Sequence, residues 1–565
     1  RLEVGKEAFF VNTGQPMPEG TNAVIMIEQV QVEGEDRVII ESAAYPWQYV
    51  RKVGEDIVAT ELILPQNHCI RPYDVGALLN GGIFTVPVKT RPKVIVIPTG
   101  SELVSPAVLG GQAPSPGQVV ESNSAVLGAL IDASGGNHVD HAIVPDDYET
   151  ILNAVKTAVN ADNQVIIISA GSSAGSEDYT AAVIRELGEV LVHGVTMMPG
   201  KPTILGIVNG KPVMGNPGYP VSAILAFEIS IRPLLYRFQG LRTPQRPRVQ
   251  AITAKKIPSK LGLDEFVRVK LGKVDEHLIA SPLPRGAGSV TTLTEADGII
   301  EIPNDVEGLQ GEQATSVELL KDLSQIENTV VAVGSHDNTL DILANEMIAR
   351  NPDYRLSSTN VGSLGGLIAL GKGYSHVAGS HLLDTETGTY NITYVQRFLP
   401  KLAVRLINLV YREQGLIVAK GNPKGIVGIT DLQRPDVQFI NRQAGAGTRV
   451  LLDNQLTTAG ITPASISGYD QEEFTHMSVA VAVLSGTADV GVGIYAAAKA
   501  LNLDFIPIVT EEYDLVIPTR FFEDDKIACL LDTIGSSTFQ AKVRALGGYD
   551  TAKTGTLVTE KKGGL

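Results

Sequence analysis

The chain has 565 residues, of which 44% are hydrophobic and 19% charged, which excludes a disordered polymer and allows roughly four domain cores. A net charge of −16 excludes broad binding to nucleic acid or to an anionic membrane surface, so an anionic ligand must be held by local dipoles and a few placed cations. The only two cysteines, Cys69 and Cys529, far apart in sequence, fit a reducing compartment with no disulfide framework, and no apolar run approaches the roughly 18 residues of a membrane span, so a cytoplasmic protein is expected. The sequence starts at Arg1 with no signal peptide pattern, as a processed or truncated N-terminus would.

In chain order, residues 1–55 alternate short β-like runs (VIMIEQVQV, DRVIIES) with the turns MPEG and EGED, and read as a small all-β module. Residues 56–90 read as a connector, and Trp47 just before it is expected to pack. From 91 to 240 the pattern becomes strand, loop and helix in repetition: KVIVIPTG, a helix near 122–134, QVIIIS, YTAAVIRELG, KPVMGNPGYP and VSAILAFEISIRPLLYRF. Val165, Ile166, Ile167 and Ile168 predict a buried strand. It runs into a loop of Gly, Ala and Ser and then the acidic pair Glu177–Asp178, an arrangement that lets a phosphate approach backbone N–H groups at a helix start. Residues 241–322 return to strands (RVQAITA, EFVRVKLG, HLIASPL, GIIEIP) and predict a small barrel or sandwich. Residues 326–565 resume the α/β alternation, with Val-Gly-Ser at 333–335 and 361–363, each between a strand and a helix. His138 and His141 in NHVDH are read as pointing to opposite faces of a strand, and His336, His376 and His381 are scattered, so no zinc site is expected.

Several separated motifs occur in order: TGQPMPEGTNAVIMIE at 13–28, RKVGEDI at 51–57, PTGSEL at 98–103, PDDY at 145–148, SAGSSAGSEDYT at 169–180, PGKP at 199–202, NPGYPVSA at 216–223 and ADGIIEIP at 296–303. In these motifs residues 1–320 resemble the MoeA/gephyrin E-domain family of molybdopterin molybdenumtransferases. The resemblance implies a MogA-like α/β domain followed by a small β-barrel. It also implies insertion of molybdate, or tungstate, into adenylated molybdopterin with Mg²⁺ and release of AMP, by a homodimer. Residues 326–565, through GSHDNTLDIL, NVGSLGGLIAL, AGSHLLD and NRQAGAGTRVLLD, resemble a two-lobed periplasmic-binding-protein-like domain and the ligand-binding half of LysR-type regulators.

Carried onto this sequence, the resemblance implies that Asp56, Glu102, Asp146 and Asp178 position metal and substrate, with Asp146 and Asp178 as metal ligands. Asp178 could equally cap the following helix. Lys201 in PGKP would hold molybdate with Ser222, which could instead cap its own helix, and Ser289 is a weaker candidate. Thr99, Gly100, Ser101, Gly171, Ser172, Ser173, Gly175, Pro217 and Pro220 would form the cofactor-binding loops. The family's Gly-Gly-Val-Ser-x-Gly loop here reads Ala170-Gly171-Ser172-Ser173-Ala174-Gly175, which keeps small side chains and adds a hydroxyl. Met198 stands where many members carry Lys or Arg, a loss of about 1–3 kcal/mol for one charged hydrogen bond. The family's Met-Asp-Gly-Tyr-Ala segment lies upstream of the matched region and is not in this sequence, which leaves the implied catalytic constellation incomplete as read.

In the second half, a tetrahedral dianion can be held by serine hydroxyls and converging helix N-termini. The candidates are Ser335, Ser363 and Thr448 at three helix starts, Arg449 as a fixed positive charge, and Tyr495 to close the cleft; ordinary strand–helix turns would look the same. Two functions therefore stand at this level. One is a molybdenumtransferase with a fused molybdate- or tungstate-binding module. The other is a degenerate enzyme acting as a sensor of an oxyanion or small molecule, for which Met198 and the altered loop speak. A structural scaffold has no specific support in the residues.

Overall fold

The computed structural model describes residues 1–170 and 179–563. Gly171, Ser172, Ser173, Gly175 and Asp178 lie outside the described residues. The chain forms two compact units, one of residues 1–91 with 238–241 and one of 92–237 with 242–565. In the first unit, Arg37–Ile40 pairs antiparallel with Leu2–Glu3 and with Val30–Glu33. The 56–90 stretch, read as a connector, carries the helix Pro72–Asn80 and belongs to this unit. Asp74 closes the start of that helix by accepting from the Arg71 backbone N–H (2.8 Å), and it also bonds His68 (2.7 Å). Trp47, expected to pack, is 52% exposed.

The second unit begins with a six-stranded sheet in the order Asn137–Asp140, Lys93–Thr99, Val165–Ala170, Lys211–Asn216, Ile204–Val208, Glu189–His193. The first four strands are parallel and the last two antiparallel to their neighbours. A strand covered on both faces can be continuously apolar, because successive side chains serve opposite cores. Val94, Val96, Val165 and Ile167 pack with Leu127, Ile131, Phe227 and Leu235, while Ile95, Ile97, Ile166 and Ile168 pack with Ile151, Val155 and Ile184. The helix Tyr148–Asn160 buries Ile151, Leu152, Val155, Ala158 and Val159, a single stripe at helical spacing. Asp147 caps it by accepting from the Thr150 N–H (2.9 Å).

Arg248–Thr253, His277–Pro282, Asp264–Val274, Gly298–Ile302 and Ala314–Leu319 form a closed five-strand barrel. Asp264–Val274 pairs with both His277–Pro282 and Gly298–Ile302, and Arg248–Thr253 links His277–Pro282 to Ala314–Leu319. Its interior holds Val267, Val269, Leu271, Ile300 and Val317. Met197–Met198 adds in parallel beside Asp264–Glu265 and ties the barrel to the α/β sheet.

The remainder is an α/β domain of two lobes. Thr329–Gly334 and Arg355–Asn360 pair in parallel and start the first lobe. Two 15-residue strands, Val404–Val418 and Asp504–Pro518, pair antiparallel along their length, with register shifts at Asn408/Val410 and Gln414/Gly415. One half of this ribbon joins Ala378–Ser380 and Leu557–Lys561, and the other half joins Val490–Ile494, which pairs with Phe439–Arg442. The ribbon therefore crosses from one lobe to the other twice. Val274 and Ile279 of the barrel lie in the same buried cluster as Val330 and Val331, so barrel and module share a core. Among the described residues, no helix is long and apolar enough to cross a membrane.

Candidate functional site

The four parallel strands of the first sheet end on one edge, where open α/β sheets leave a crevice for ligands. Lys93–Thr99 runs there into Gly100–Leu103, and Lys211–Asn216 into Pro217–Pro220. Because Ile204–Val208 runs antiparallel, with Ile204 opposite Gly215, the Lys201 turn lies on the same edge. The structure thus brings Thr99, Gly100, Ser101, Glu102, Asp146, Lys201, Pro217, Pro220 and Ser222 to one side of one sheet.

Thr99 is buried, with its hydroxyl 3.4 Å from the Ser169 carbonyl that accepts from it. Ser101 Oγ accepts from the Asp146 backbone N–H (3.2 Å), which joins the PTGSEL and PDDY motifs. A Cβ on Gly100 would stand 2.8 Å from Leu103 Cγ and 3.0 Å from the Glu102 carboxylate, so glycine lets Glu102 fold back over the turn. Partial burial and then the nearby Glu102 carboxylate push the Asp146 carboxyl above its ordinary value. Two hard-oxygen donors repelling each other at a strand edge fit a Mg²⁺ ion, which keeps several waters and needs few protein ligands. No cluster of three acidic, His or Cys ligands occurs among the described residues.

Lys201 is exposed on the turn that follows the cis Met198–Pro199 peptide. Met198 sits beside Glu265 of the barrel, whose carboxylate is taken by Arg285 (2.8 Å). Ser222 is not the cap of its helix: Pro220–Ala226 starts two residues earlier, with Tyr219 in the cap position, and Ser222 is buried in the first turn. Val221 N–H donates to the Ala287 carbonyl (3.0 Å), which brings the GAGSV loop with Ser289 against this edge. Asp56 belongs to the first unit, where it is exposed and paired with Arg51 (3.4 Å). Sequence reasoning passed over Asn216, whose amide is 1% exposed with neither atom hydrogen-bonded. An unpartnered buried amide at a ligand edge marks a contact still to be made.

In the second module the crossing strands carry a polar cluster inside the fold. Arg412, fully buried, pairs with Asp337 and with Glu511. Glu511 also faces His381 Nδ1 (3.0 Å) and accepts from Gln414 Nε2 (2.6 Å), and Tyr549 donates its hydroxyl to Asp337 (3.0 Å). Burial alone would raise the Glu511 carboxyl, but Arg412 and His381 outweigh it and hold it at about 2. Burial pulls His381 down despite Glu511. A neutral His381 then donates from Nδ1 to Glu511 and accepts the Ser335 hydroxyl on Nε2 (2.8 Å). Ser363 Oγ accepts from the His381 backbone N–H (3.3 Å), and Thr448 Oγ1 accepts from Gln414 Nε2 (2.9 Å).

Ser335, Ser363 and Thr448 are thus gathered around one cluster, close to the starts of Asn338–Arg350, Gly362–Gly371 and Gly447–Thr458. Gly447 is required there, since a Cβ would lie 2.4 Å from the His381 ring. His476, at the start of a fourth helix, is buried with both ring nitrogens unpartnered, and burial followed by Arg442 and Arg412 keeps it neutral. Arg449 is not brought in: Asp453 (3.3 Å) and Glu472 (3.2 Å) hold its guanidinium, which lies 4.0 Å over the Tyr469 ring. Tyr495 packs edge-on against Phe505 and beside Gly547–Gly548.

Arg442 is instead the second buried arginine of this region, beside Arg412. It is 2% exposed; its guanidinium donates to the Glu473 (3.3 Å) and Phe474 (3.0 Å) carbonyls and leaves Nη1 without a partner among the described residues. Burial and then Arg412 pull its guanidinium down to about 10. Arg412 Nη2 is also unpartnered, as are the acceptors Gln414 Oε1 and Gln443 Oε1.

Two measurements follow. Arg412→Ala strands two buried carboxylates and should cost about 3–5 kcal/mol, read as an early unfolding transition of the module. Asp514 is buried with Asn391 (2.8 Å) and Asn408 (3.1 Å) donating to it, and burial followed by Glu512 pushes its carboxyl from 3.8 up to about 7. Between these values the unfolded chain releases a proton that the folded chain keeps. Stability therefore falls by about 1.4 kcal/mol per pH unit as pH rises across that window. Asp514→Asn should remove this component from melting temperatures measured at pH 5 and pH 7.

Family models match four stretches of the chain. Residues 1–82 match the MoeA N-terminal region (domain I and II), 95–237 a probable molybdopterin binding domain, 250–320 the MoeA C-terminal region (domain IV) and 344–535 a PBP superfamily domain. Molybdopterin molybdenumtransferase 2 of Mycobacterium tuberculosis is 35% identical over 308 residues, 52% of this chain and 73% of that protein. An uncharacterised Bacillus subtilis protein, YvgK, is 38% identical over 230 residues, 41% of this chain and 74% of its own length. The molybdopterin biosynthesis MoeA structure from Pyrococcus horikosii is 35% identical, covering 57% of this chain and 80% of that one with a TM-score of 0.44. The matches define a transferase class of molybdenum cofactor biosynthesis, joined here to a PBP-like domain. The chain belongs to the MoeA family of molybdopterin molybdenumtransferases.

Proposed function

We propose that the chain inserts molybdate or tungstate into the dithiolene of adenylated molybdopterin and releases AMP, as a cytoplasmic homodimer, and that its second module binds the oxyanion. The gathering of Thr99–Glu102, Asp146, Lys201 and Asn216–Ser222 on one sheet edge supports the first part. Mg²⁺ bound there would neutralise charge developing at the phosphoanhydride, and Glu102 and Asp146 would hold it. The Thr99–Ser101 turn and the Asn216 amide orient the pterin phosphate. The exposed Lys201 ammonium, which pairs with no carboxylate among the described residues, screens the incoming dianion. Substrate AMP release, measured with Mg²⁺ and molybdate, is the direct check; its absence with the full chain sinks this part.

The observation that carries the second part is Arg442, a buried cation with no carboxylate at ion-pair distance among the described residues. Its Nη1, Arg412 Nη2 and both His476 ring nitrogens are buried without hydrogen-bond partners, and His476 lies within electrostatic reach of both arginines, a set of groups that suits a small anion. Calorimetry of the full chain against molybdate, tungstate, sulfate and phosphate tests it. Micromolar or tighter binding of molybdate or tungstate with sulfate rejected is the expected result. A catalytically degenerate sensor is the second reading, and Met198 beside Glu265 favours it, because the edge lacks a cation there. Molybdate binding without AMP release would establish that reading.

A further inference from the structure

Between the barrel and the second module lies a cavity of about 950 Å³. The barrel lines it with Lys255, Lys256, Lys270 and Arg285, and the module with His336 and Phe474. Some of this charge is already compensated: Lys270 pairs with Glu295 (2.9 Å), Arg285 with Glu265 (2.8 Å), and His336 stands 3.5 Å from Asp341. Lys255 and Lys256 have no carboxylate partner among the described residues. The wall around Lys255 and the neighbouring Arg285 push its ammonium below the ordinary lysine value. In a chain of net charge −16, two lysines without a carboxylate partner among the described residues face a half-open cavity and leave it with more positive than negative lining charge.

The cavity adjoins both sites. The Phe474 carbonyl accepts from Arg442 Nη2 (3.0 Å) and from Asn360 Nδ2 (2.7 Å), so a single stretch of backbone separates the cavity from the buried cation of the cleft. At the other end, Pro284 lines the cavity, and three residues later the Ala287 carbonyl receives Val221 N–H (3.0 Å) on the molybdopterin edge. Buried Arg268 holds this loop by donating to the Pro284 (2.9 Å) and Gly286 (3.3 Å) carbonyls. The junction is braced by Arg520–Asp275 (2.9 Å) and Lys273–Glu327 (3.1 Å).

We propose that this cavity is an anion relay, in which a tetrahedral oxyanion leaving the cleft passes Phe474 into a vestibule kept positive by Lys255 and Lys256 and reaches the Pro284–Gly288 loop beside the molybdopterin edge. The inference rests on the cleft being an oxyanion receptor. A space far larger than the ion suits transit of a hydrated anion, and a lining with four cations against the carboxylates of Glu295 and Asp341 leaves an excess of positive charge that raises the local anion concentration.

The test uses the full chain with molybdate as probe, in the wild type and in the double variants K255E/K256E, K255M/K256M and K255R/K256R. Calorimetric affinity for molybdate stays within about twofold of wild type in all three, because the cleft is untouched. The molybdate KM for AMP release rises about tenfold in K255E/K256E and less in K255M/K256M, with kcat at saturating molybdate retained, and it is unchanged in K255R/K256R. An unchanged KM in the Glu and Met variants, with cleft binding intact, overturns the relay and leaves the receptor reading standing. Wild-type protein that binds no molybdate overturns both. Thermal melts select the Met variant for the comparison if the Glu variant unfolds early.

Discussion

Arg442→Ala should weaken molybdate binding to the full chain by about 100-fold, from the loss of two charge-assisted hydrogen bonds of roughly 1.5 kcal/mol each. The same substitution should leave the ligand-free protein nearly as stable as before. Arg442 is desolvated with no carboxylate at ion-pair distance among the described residues, so its two carbonyl hydrogen bonds and the more distant Glu511 offset its burial cost only in part, and a bound anion would offset more. An arginine with a purely structural role would show the opposite pattern, a lower melting temperature with unchanged affinity. Calorimetry and thermal unfolding on one preparation separate the two. Arg449→Ala serves as the internal contrast: its guanidinium is taken by Asp453 and Glu472, and molybdate affinity should stay within about twofold.

The second large effect is expected at Asp146. Asp146→Asn should lower AMP release by about 100- to 1,000-fold at fixed Mg²⁺, in the range seen when charge stabilisation at a transferring phosphoryl group is removed. It should also raise the Mg²⁺ concentration for half-maximal rate, because one of two hard carboxylate donors is gone. Asp146 is raised by burial and by Glu102, so removing its charge relieves repulsion. The folded state should be as stable as wild type or slightly more so. A loss of activity that extra Mg²⁺ does not recover at all, with unchanged stability, would move Asp146 from metal binding to a direct substrate contact.

Much of the frame could be read before folding. Val165–Ile168 had to be a strand buried on both faces, and the alternation of strand and helix through 91–240 required a layered sheet. The motifs PTGSEL, PDDY, PGKP and NPGYPVSA each belong to a turn at a strand end, so strand direction alone was enough to gather them on one edge. Ser335, Ser363 and Thr448 were legible for the same reason, each lying next to a helix start. Ser222 was less so, because a proline two residues earlier begins the helix and takes the cap position away from it.

What tertiary structure alone decided is the charge inside the second module. Arg412 and Glu511 stand 99 residues apart, in two strands that run antiparallel across both lobes, and their pairing, with Asp337, His381 and Gln414 beside them, makes the burial of both tolerable. Their trace in the sequence is Arg412 and Gln414, and Glu511 and Tyr513, two residues apart on one face of each strand, and no local rule says that these faces meet. The choice between Arg442 and Arg449 is of the same kind. Local spacing favours Arg449, beside Thr448 at a helix start, yet the helix carries its side chain around to Asp453 four residues on. Arg442 ends a central strand and is directed inward. Sequence sets which turns and faces a segment can form, since periodicity and backbone geometry are local. Which charge is left unpaired at a buried centre depends on neighbours supplied from a hundred residues away.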